Sequence, residues 1–291
     1  MPGSDLRTNP DALPSAATPR IGTHGVNGTG LYAEVRGSGP PVLLIGAADE
    51  DAEVFRPVAE RLPDHTVVTY DRRGTLRSGR DDWPGAGSAQ HADDAAGLLQ
   101  ALSLEGAVIF GASAGGIVAL QTALRHPEVV DLALVFEPGY FRNVPAGKHL
   151  EQLGNQALAD HLASHPQDWA GAVAALGRVA APSPDPEGAG FFTPPEGKEW
   201  YSERGANNAE AFVRGDIPMS QELLDEADLA EAQVGIRFAF GTASMPIFRD
   251  IETHLSAICG ATPDRIHGVG HAVYYHPDII ADYIRTASSP T

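Results

Sequence analysis

The stretch AVIFGASAGGIVAL, residues 107–120, constrains the fold of this 291-residue chain more than any other feature. An apolar run too short for a helix ends in Gly-Ala-Ser-Ala-Gly, and apolar residues at helical spacing follow at Ile117, Leu120 and Leu124. The pattern predicts a buried strand, a tight turn and a helix, with Ser113 at the corner.

Ser113 therefore has the setting of a nucleophile elbow, a turn that lifts the serine hydroxyl clear of the sheet. Gly111 and Gly115 suit the turn, because larger side chains there would strike the neighbouring strand or helix. The amide of Ala114, at the helix N-terminus, would point at an oxyanion formed by attack of Ser113. A small-residue turn can arise by chance, but the strand before and the helix after favour a nucleophile.

Composition limits the classes of partner. The net charge of −18 opposes nucleic-acid binding, and no run approaches the roughly 18 apolar residues of a membrane span. The single cysteine, Cys259, cannot form an intramolecular disulfide, and residues 1–20 lack the apolar segment of a signal peptide. We therefore expect a cytoplasmic protein with a disordered or loosely attached tail at residues 1–20.

Short apolar runs alternate with helical patterns along most of the chain, which predicts a parallel sheet. An antiparallel hairpin around Asn27-Gly28 opens it. Further strands are predicted at 41–45, 66–70, from 107 into the turn around Ser113, at 131–136, 236–240 and near 265–266. Residues 140–233 contain helical stretches and a Pro-rich loop without a strand pattern, so we predict core at 21–139, a helical lid at 140–233 and core again at 234–291.

This order of elements resembles the α/β-hydrolase fold. The resemblance implies an α/β architecture with a mostly parallel eight-stranded sheet, helices on both faces and an inserted helical lid. It also implies a catalytic triad in the chain order nucleophile, acid, histidine. The histidine would be His271, which follows Gly268-Val269-Gly270 before the final helix.

The acid departs from the commonest pattern of this fold. Most relatives carry Asp after the seventh strand, where this chain has Ser244, and a hydroxyl cannot stabilise an imidazolium as a carboxylate does. Glu137, which ends the sixth strand, is our predicted acid. Asp250 and Glu252, on the following helix, are the alternatives.

A glutamate at this position is similar to the zearalenone lactonases, a subgroup that opens a resorcylic macrolactone. The shared strings include Phe136-Glu137-Pro138, Gly241-Thr242-Ala243 followed by Pro246, and Gly270-His271 followed by His276-Pro277. Many bacterial hydrolases share much of this pattern, so it supports the subgroup more strongly than the substrate.

The loop after the third strand departs from the family too, since it reads GAADE where relatives have His-Gly. We assign the second oxyanion donor to the amide of Ala48, with Ala47 as the alternative, because a backbone N–H does not depend on its side chain. Carboxylates would oppose an oxyanion. We therefore expect Asp49 and Glu50 to face solvent and to cap a helix starting near Asp51.

Aromatic residues in and near the lid predict an apolar roof over the site, although each one singly could belong to the core of the lid. The absence of a basic clamp favours a small, neutral, mostly apolar substrate. The candidate substrate-binding residues are Phe141, Phe192, Trp200, Tyr201 and Phe212.

These features predict a carboxylic-ester hydrolase, most specifically a lactonase acting on a zearalenone-type macrolactone. General ester, C–C bond and perhydrolase chemistry use the same triad and stay open, as does a non-catalytic small-molecule receptor. No metal-ligand spacing or phosphate loop is evident, so we expect no cofactor and no metal. A homo-oligomer is compatible with the sequence.

Overall fold

The structure is a computed structural model that describes residues 18–180 and 199–288. Its centre is a sheet whose strands are β1 Arg20–Val26, β2 Thr29–Arg36, β3 Pro41–Ile45, β4 Thr66–Tyr70, β5 Ala107–Ala112, β6 Val130–Phe136, β7 Gly235–Gly241 and β8 Asp264–Ile266. In space the strands follow the order β1-β2-β4-β3-β5-β6-β7-β8.

The sheet is parallel from β4 to β8, and only β1 and β2 run antiparallel to their neighbours. The β1–β2 hairpin turns at Asn27 and Gly28, which both have positive φ, as an Asn-Gly turn requires. The predicted eight-stranded, mostly parallel sheet is confirmed.

The described helices are α1 Arg56–Glu60, α2 Ser88–Leu102, α3 Ala114–Arg125, α4 Pro145–Ser164, α5 Trp169–Ala180, α6 Glu199–Ala211, α7 Ile217–Ser220, α8 Glu226–Ala230, α9 Pro246–Ile258 and α10 Pro277–Ser288. Successive side chains of β3 pack on opposite faces of the sheet: Leu43 lies in a cluster with α2 and α3, and Leu44 lies in a cluster with α1 and α10. Both faces of the sheet are therefore covered, which explains why β3 is continuously apolar.

Helices α4 to α8 lie between β6 and β7, in the segment predicted to be the lid, and one π-helical turn, Phe212–Asp216, joins α6 to α7. Residues of this segment and residues just beyond β3 and β5 line a common cavity. The lid thus stands over the carboxyl ends of the parallel strands, where ligands of open α/β sheets bind. Among the described residues, no helix has both the length and the apolar character to cross a membrane.

Candidate active site

Ser113 occupies the predicted corner between β5 and α3, with a φ of 54°. A Cβ added at Gly111 would stand 2.1 Å from the carbonyl oxygen of Gly115, and one at Gly115 would stand 2.3 Å from that of Ile45. Only glycine fits these two approaches. The Ser113 N–H donates to the Phe136 carbonyl at 2.9 Å, which fixes the corner against the end of β6.

Glu137 follows β6 directly and is fully buried, with a φ of 46°. Its Oε1 accepts a hydrogen bond from the Gly241 N–H at 2.8 Å. Its own N–H donates to Oε1 of Glu252 at 2.6 Å and to the Ala239 carbonyl at 3.1 Å. These contacts hold the Glu137 carboxylate in one orientation.

The structure brings His271 and Glu137 together: Nδ1 of His271 lies 2.7 Å from Oε2 of Glu137. Phe248 of α9 stacks on the imidazole, with ring centroids 4.0 Å apart and an angle of 13° between the planes. The sequence reasoning missed Phe248. The sequence does show that Phe248 falls on the same helix face as Ile251 and Leu255, the buried face of α9.

The alternative acids lie elsewhere. Asp250 is exposed and pairs with Arg249. Glu252 is fully buried and contacts the backbone of Glu137, and burial raises the pKa of the Glu252 carboxyl well above its ordinary value. Within the described residues Ser244 Oγ has no hydrogen-bond partner, so Ser244 is not the group that orients His271.

The loop after β3 differs from its prediction. Glu50 is buried, and its Oε2 accepts a hydrogen bond from the Ala47 N–H at 2.7 Å. Asp49 lines the cavity beside Ser113, and α1 begins only at Arg56. The expectation that Asp49 and Glu50 face solvent and cap a helix near Asp51 is therefore wrong, because the lid covers this loop. Of the two candidate oxyanion donors, the Ala47 N–H is already bonded to Glu50, which leaves the Ala48 N–H. Ala48 lines the same cavity as Ser113.

This cavity, which we call the main cavity, is lined by Ser113, Ala114, Ala48 and His271 together with apolar lid residues. Of the predicted aromatic residues, Phe141 and Phe212 line it. Trp200 is buried but packs on Val54 outside it. Phe192 and the side chain of Tyr201 lie outside the described residues.

Two buried ion pairs join the lid to the segments that follow β3 and β4. Arg72 donates to Oδ1 of Asp216 at 2.6 Å and to the Ala47 carbonyl at 3.0 Å. Arg204 of α6 donates to both carboxylate oxygens of Asp51, from Nε at 3.0 Å and from Nη2 at 2.5 Å. The loop that carries Ala47 and Ala48 is thus fixed to the lid as well as to the sheet.

In the described part of the chain, no three His, Cys, Asp or Glu side chains are grouped so as to hold a metal ion. What the site does offer is a serine on a strained turn, a histidine held by a carboxylate, and two backbone amides at the same cavity. Such a set of groups is suited to nucleophilic attack on a carbonyl carbon.

Comparison with known proteins agrees with this architecture. An uncharacterized hydrolase, YraK, from Bacillus subtilis is 41% identical over 119 residues, which are 40% of this chain and 44% of that protein. A putative carbamate hydrolase, RutD, from Azorhizobium caulinodans is 41% identical over 101 residues, 34% of this chain and 38% of its own. The matched segments span less than half of these two relatives.

A solved structure, an alpha/beta hydrolase from Sphaerobacter thermophilus, superimposes with a TM-score of 0.69 at 24% identity and covers 92% of this chain and 100% of that one. The sequence model of the alpha/beta hydrolase fold family matches residues 40–213, more than half of the chain. The protein therefore belongs to the alpha/beta-hydrolase fold family.

Proposed function

We propose that this protein hydrolyses carboxylic esters through an acyl-enzyme on Ser113, and that its substrates are lactones of the zearalenone type. The observation that carries the proposal is the 2.7 Å contact between His271 and the buried Glu137 carboxylate, at a cavity that Ser113 also lines. A carboxylate on Nδ1 fixes the tautomer in which Nε2 carries no proton and can act as a base.

In the proposed first step Ser113 Oγ attacks the acyl carbon while His271 takes the hydroxyl proton on Nε2. The carbonyl oxygen then carries the negative charge, and the amides of Ala114 and Ala48 stabilise it. When the tetrahedral intermediate collapses, the C–O bond breaks and His271 returns the proton to the alcohol oxygen. In a lactone this alcohol stays attached to the acyl group, so the ring opens.

Water completes the reaction. His271 takes a proton from the water as it attacks the acyl carbon, and the second collapse releases the carboxylic acid and restores the Ser113 hydroxyl. Glu137 stabilises the imidazolium that forms in each step. Phe248, flat against the ring, limits the orientations that the imidazole can take.

The walls of the main cavity and the resemblance to the lactonases support the proposed substrate class. Phe141, Phe212, Ile117 and Leu176 supply an apolar lining. A planar aromatic lactone would bury most of its surface against such walls, where each Å² of apolar area contributes roughly 25 cal/mol.

Chromatography of zearalenone incubated with wild-type and Ser113→Ala protein tests the proposal. We expect ring-opened product from the wild type and a rate lower by about 10⁴–10⁶ in the variant. Simple p-nitrophenyl esters and a carbamate ester are assayed in parallel as comparison substrates. Turnover of those compounds without opening of zearalenone would leave a general esterase or carbamate hydrolase, and full activity of Ser113→Ala would refute the acyl-enzyme.

A further inference from the structure

A second cavity adjoins the main one and has a different character. Its volume is about 180 Å³, well above the roughly 10–15 Å³ that one water requires. Asp49 and Tyr274 line both cavities, so they form a shared wall. The remaining lining among the described residues consists of Glu50, Val54, Tyr275 and small residues of α5 and α6, and none of these side chains is basic.

Within the part of the chain that the structure describes, the two carboxyl groups of this cavity lack the counter-charges that their neighbours have. Asp51 pairs with Arg204 and Asp216 pairs with Arg72, whereas neither Asp49 nor Glu50 forms an ion pair within the described residues. Glu50 is only 4% exposed, and no described group bonds to its Oε1. A buried carboxyl oxygen without a partner destabilises the folded protein, so its presence indicates a ligand.

The pKa values of Asp49 and Glu50 agree with this excess of negative charge at the second cavity. Burial, together with the nearby charge of Asp216, raises the pKa of Asp49 to about 7. Burial and the charge of Asp49 raise the pKa of Glu50 well above its ordinary value. Arg72 opposes both shifts, but its guanidinium donates to Asp216 and Ala47 instead. Both carboxyl groups therefore bind a proton more tightly than ordinary carboxyl groups do, as expected where negative charge is incompletely balanced.

We propose that the second cavity is a binding site for a protonated primary amine, held between the carboxyl groups of Asp49 and Glu50. An ammonium group offers three N–H donors to two acceptor groups, and hydrogen bonds between opposite charges are about twice as strong as neutral ones. The Tyr274 and Tyr275 rings, 4.8 Å apart and nearly perpendicular, can add the attraction of aromatic faces for a cation.

Gly205 keeps the site open. A Cβ at Gly205 would stand 2.4 Å from Oδ2 of Asp49, so any larger residue at this position of α6 would displace the carboxylate. The chain therefore provides two independent ways to alter the site: Asp49→Asn removes the charge at constant size, and Gly205→Ala moves the charge without removing it.

The amine can come from two sources: the far end of an ester that spans both cavities, or a separate amine that binds beside the ester. The first source rests on the proposed function, because it requires an acyl carbon at Ser113. The second does not. Binding of a simple amine tests the site itself, and hydrolysis of an amino ester tests the first source.

Calorimetry with hexylammonium chloride and with neutral 1-hexanol tests the site on the full chain. We expect hexylammonium to bind at least tenfold more tightly than hexanol, and Asp49→Asn and Gly205→Ala each to weaken it about tenfold to hundredfold. Asp228→Asn removes an exposed carboxylate of α8 and is the matched control, with unchanged binding. Equal binding of the amine and the alcohol, or folded variants that bind as the wild type does, would overturn the proposal.

The source is assigned by comparing kcat/KM for p-nitrophenyl 6-aminohexanoate with that for the neutral heptanoate of equal length. An amino-ester preference that Asp49→Asn abolishes assigns the amine to the substrate, and equal rates assign it to a separate ligand. If hexylammonium binding depends on Asp49 but no ester or lactone is hydrolysed, the amine site stands and the proposed function fails.

Discussion

Replacing Glu137 by Gln separates the charge of the proposed acid from its shape. Glu137 Oε1 accepts a hydrogen bond from the Gly241 N–H, and its Oε2 faces Nδ1 of His271. A glutamine satisfies Gly241 only by placing its carbonyl oxygen there, so the NH₂ group must point at His271. An NH₂ donor requires Nδ1 to be an acceptor, and the imidazole then carries its proton on Nε2, where it cannot accept one from Ser113.

The expected loss is that of a histidine held in the wrong tautomer, about 10⁴-fold in kcat, or about 5.5 kcal/mol in activation free energy. Hydrolysis of a p-nitrophenyl ester, followed by absorbance with substrate in excess, measures it. Substrate affinity should change little, because Glu137 is buried behind His271 and does not line the main cavity.

Glu252→Gln is the matched control, since Glu252 is an equally buried carboxyl group that contacts the backbone of Glu137 rather than His271. Ser244→Ala is a second control. Both should keep the rate within about tenfold of the wild type, because neither residue bonds to the imidazole. If Glu137→Gln retained activity while Ser244→Ala or an Asp250 variant lost it, the assignment of the acid would be refuted.

Two further predictions concern Phe212 of the lid and the buried carboxyl group of Glu252. Phe212→Ala should lower kcat/KM for zearalenone, with an increase in activation free energy of about 1–3 kcal/mol from lost apolar burial, and should barely alter hydrolysis of p-nitrophenyl acetate. Equal losses on both substrates would instead show damage to the catalytic groups. Glu252 has a raised pKa, so the unfolded chain releases this proton at a lower pH than the folded protein does, and the wild type loses stability as pH rises above about 4.5. Urea unfolding at pH 5 and pH 8 should show Glu252→Gln gaining stability relative to the wild type by up to about 1.4 kcal/mol per pH unit, and a difference that is constant with pH would contradict the shift.

The sequence predicts those parts of the fold that depend on local patterns. The short, mostly apolar runs of β3 to β6, the Asn27-Gly28 hairpin and the corner at Ser113 all follow from neighbouring residues, and the structure has them. The contact between Glu137 and His271 is long-range, yet both residues could be named as candidates: His271 from its place in the chain order of a known fold, and Glu137 because Ser244 stands where that fold usually has its acid.

The loop after β3 could not be predicted in this way. Whether Asp49 and Glu50 meet water depends on α6, and Gly205 of that helix lies more than 150 residues away in the chain. The contact of Phe248 with His271 likewise depends on how α9 packs. Glu252 gave a usable signal, because a carboxylate on the apolar face of a helix must find a buried polar partner.

The ion pairs of Arg72 with Asp216 and of Arg204 with Asp51 determine how this lid can move. Opening the lid would separate both pairs at once, and hydration of the exposed charges would offset part of the lost attraction. Arg72 also holds the Ala47 carbonyl, so the same motion would release the loop that carries the Ala48 amide. For the described residues, a closed lid and an intact loop at Ala48 therefore occur together, so the proposed oxyanion site is complete only while the lid is closed.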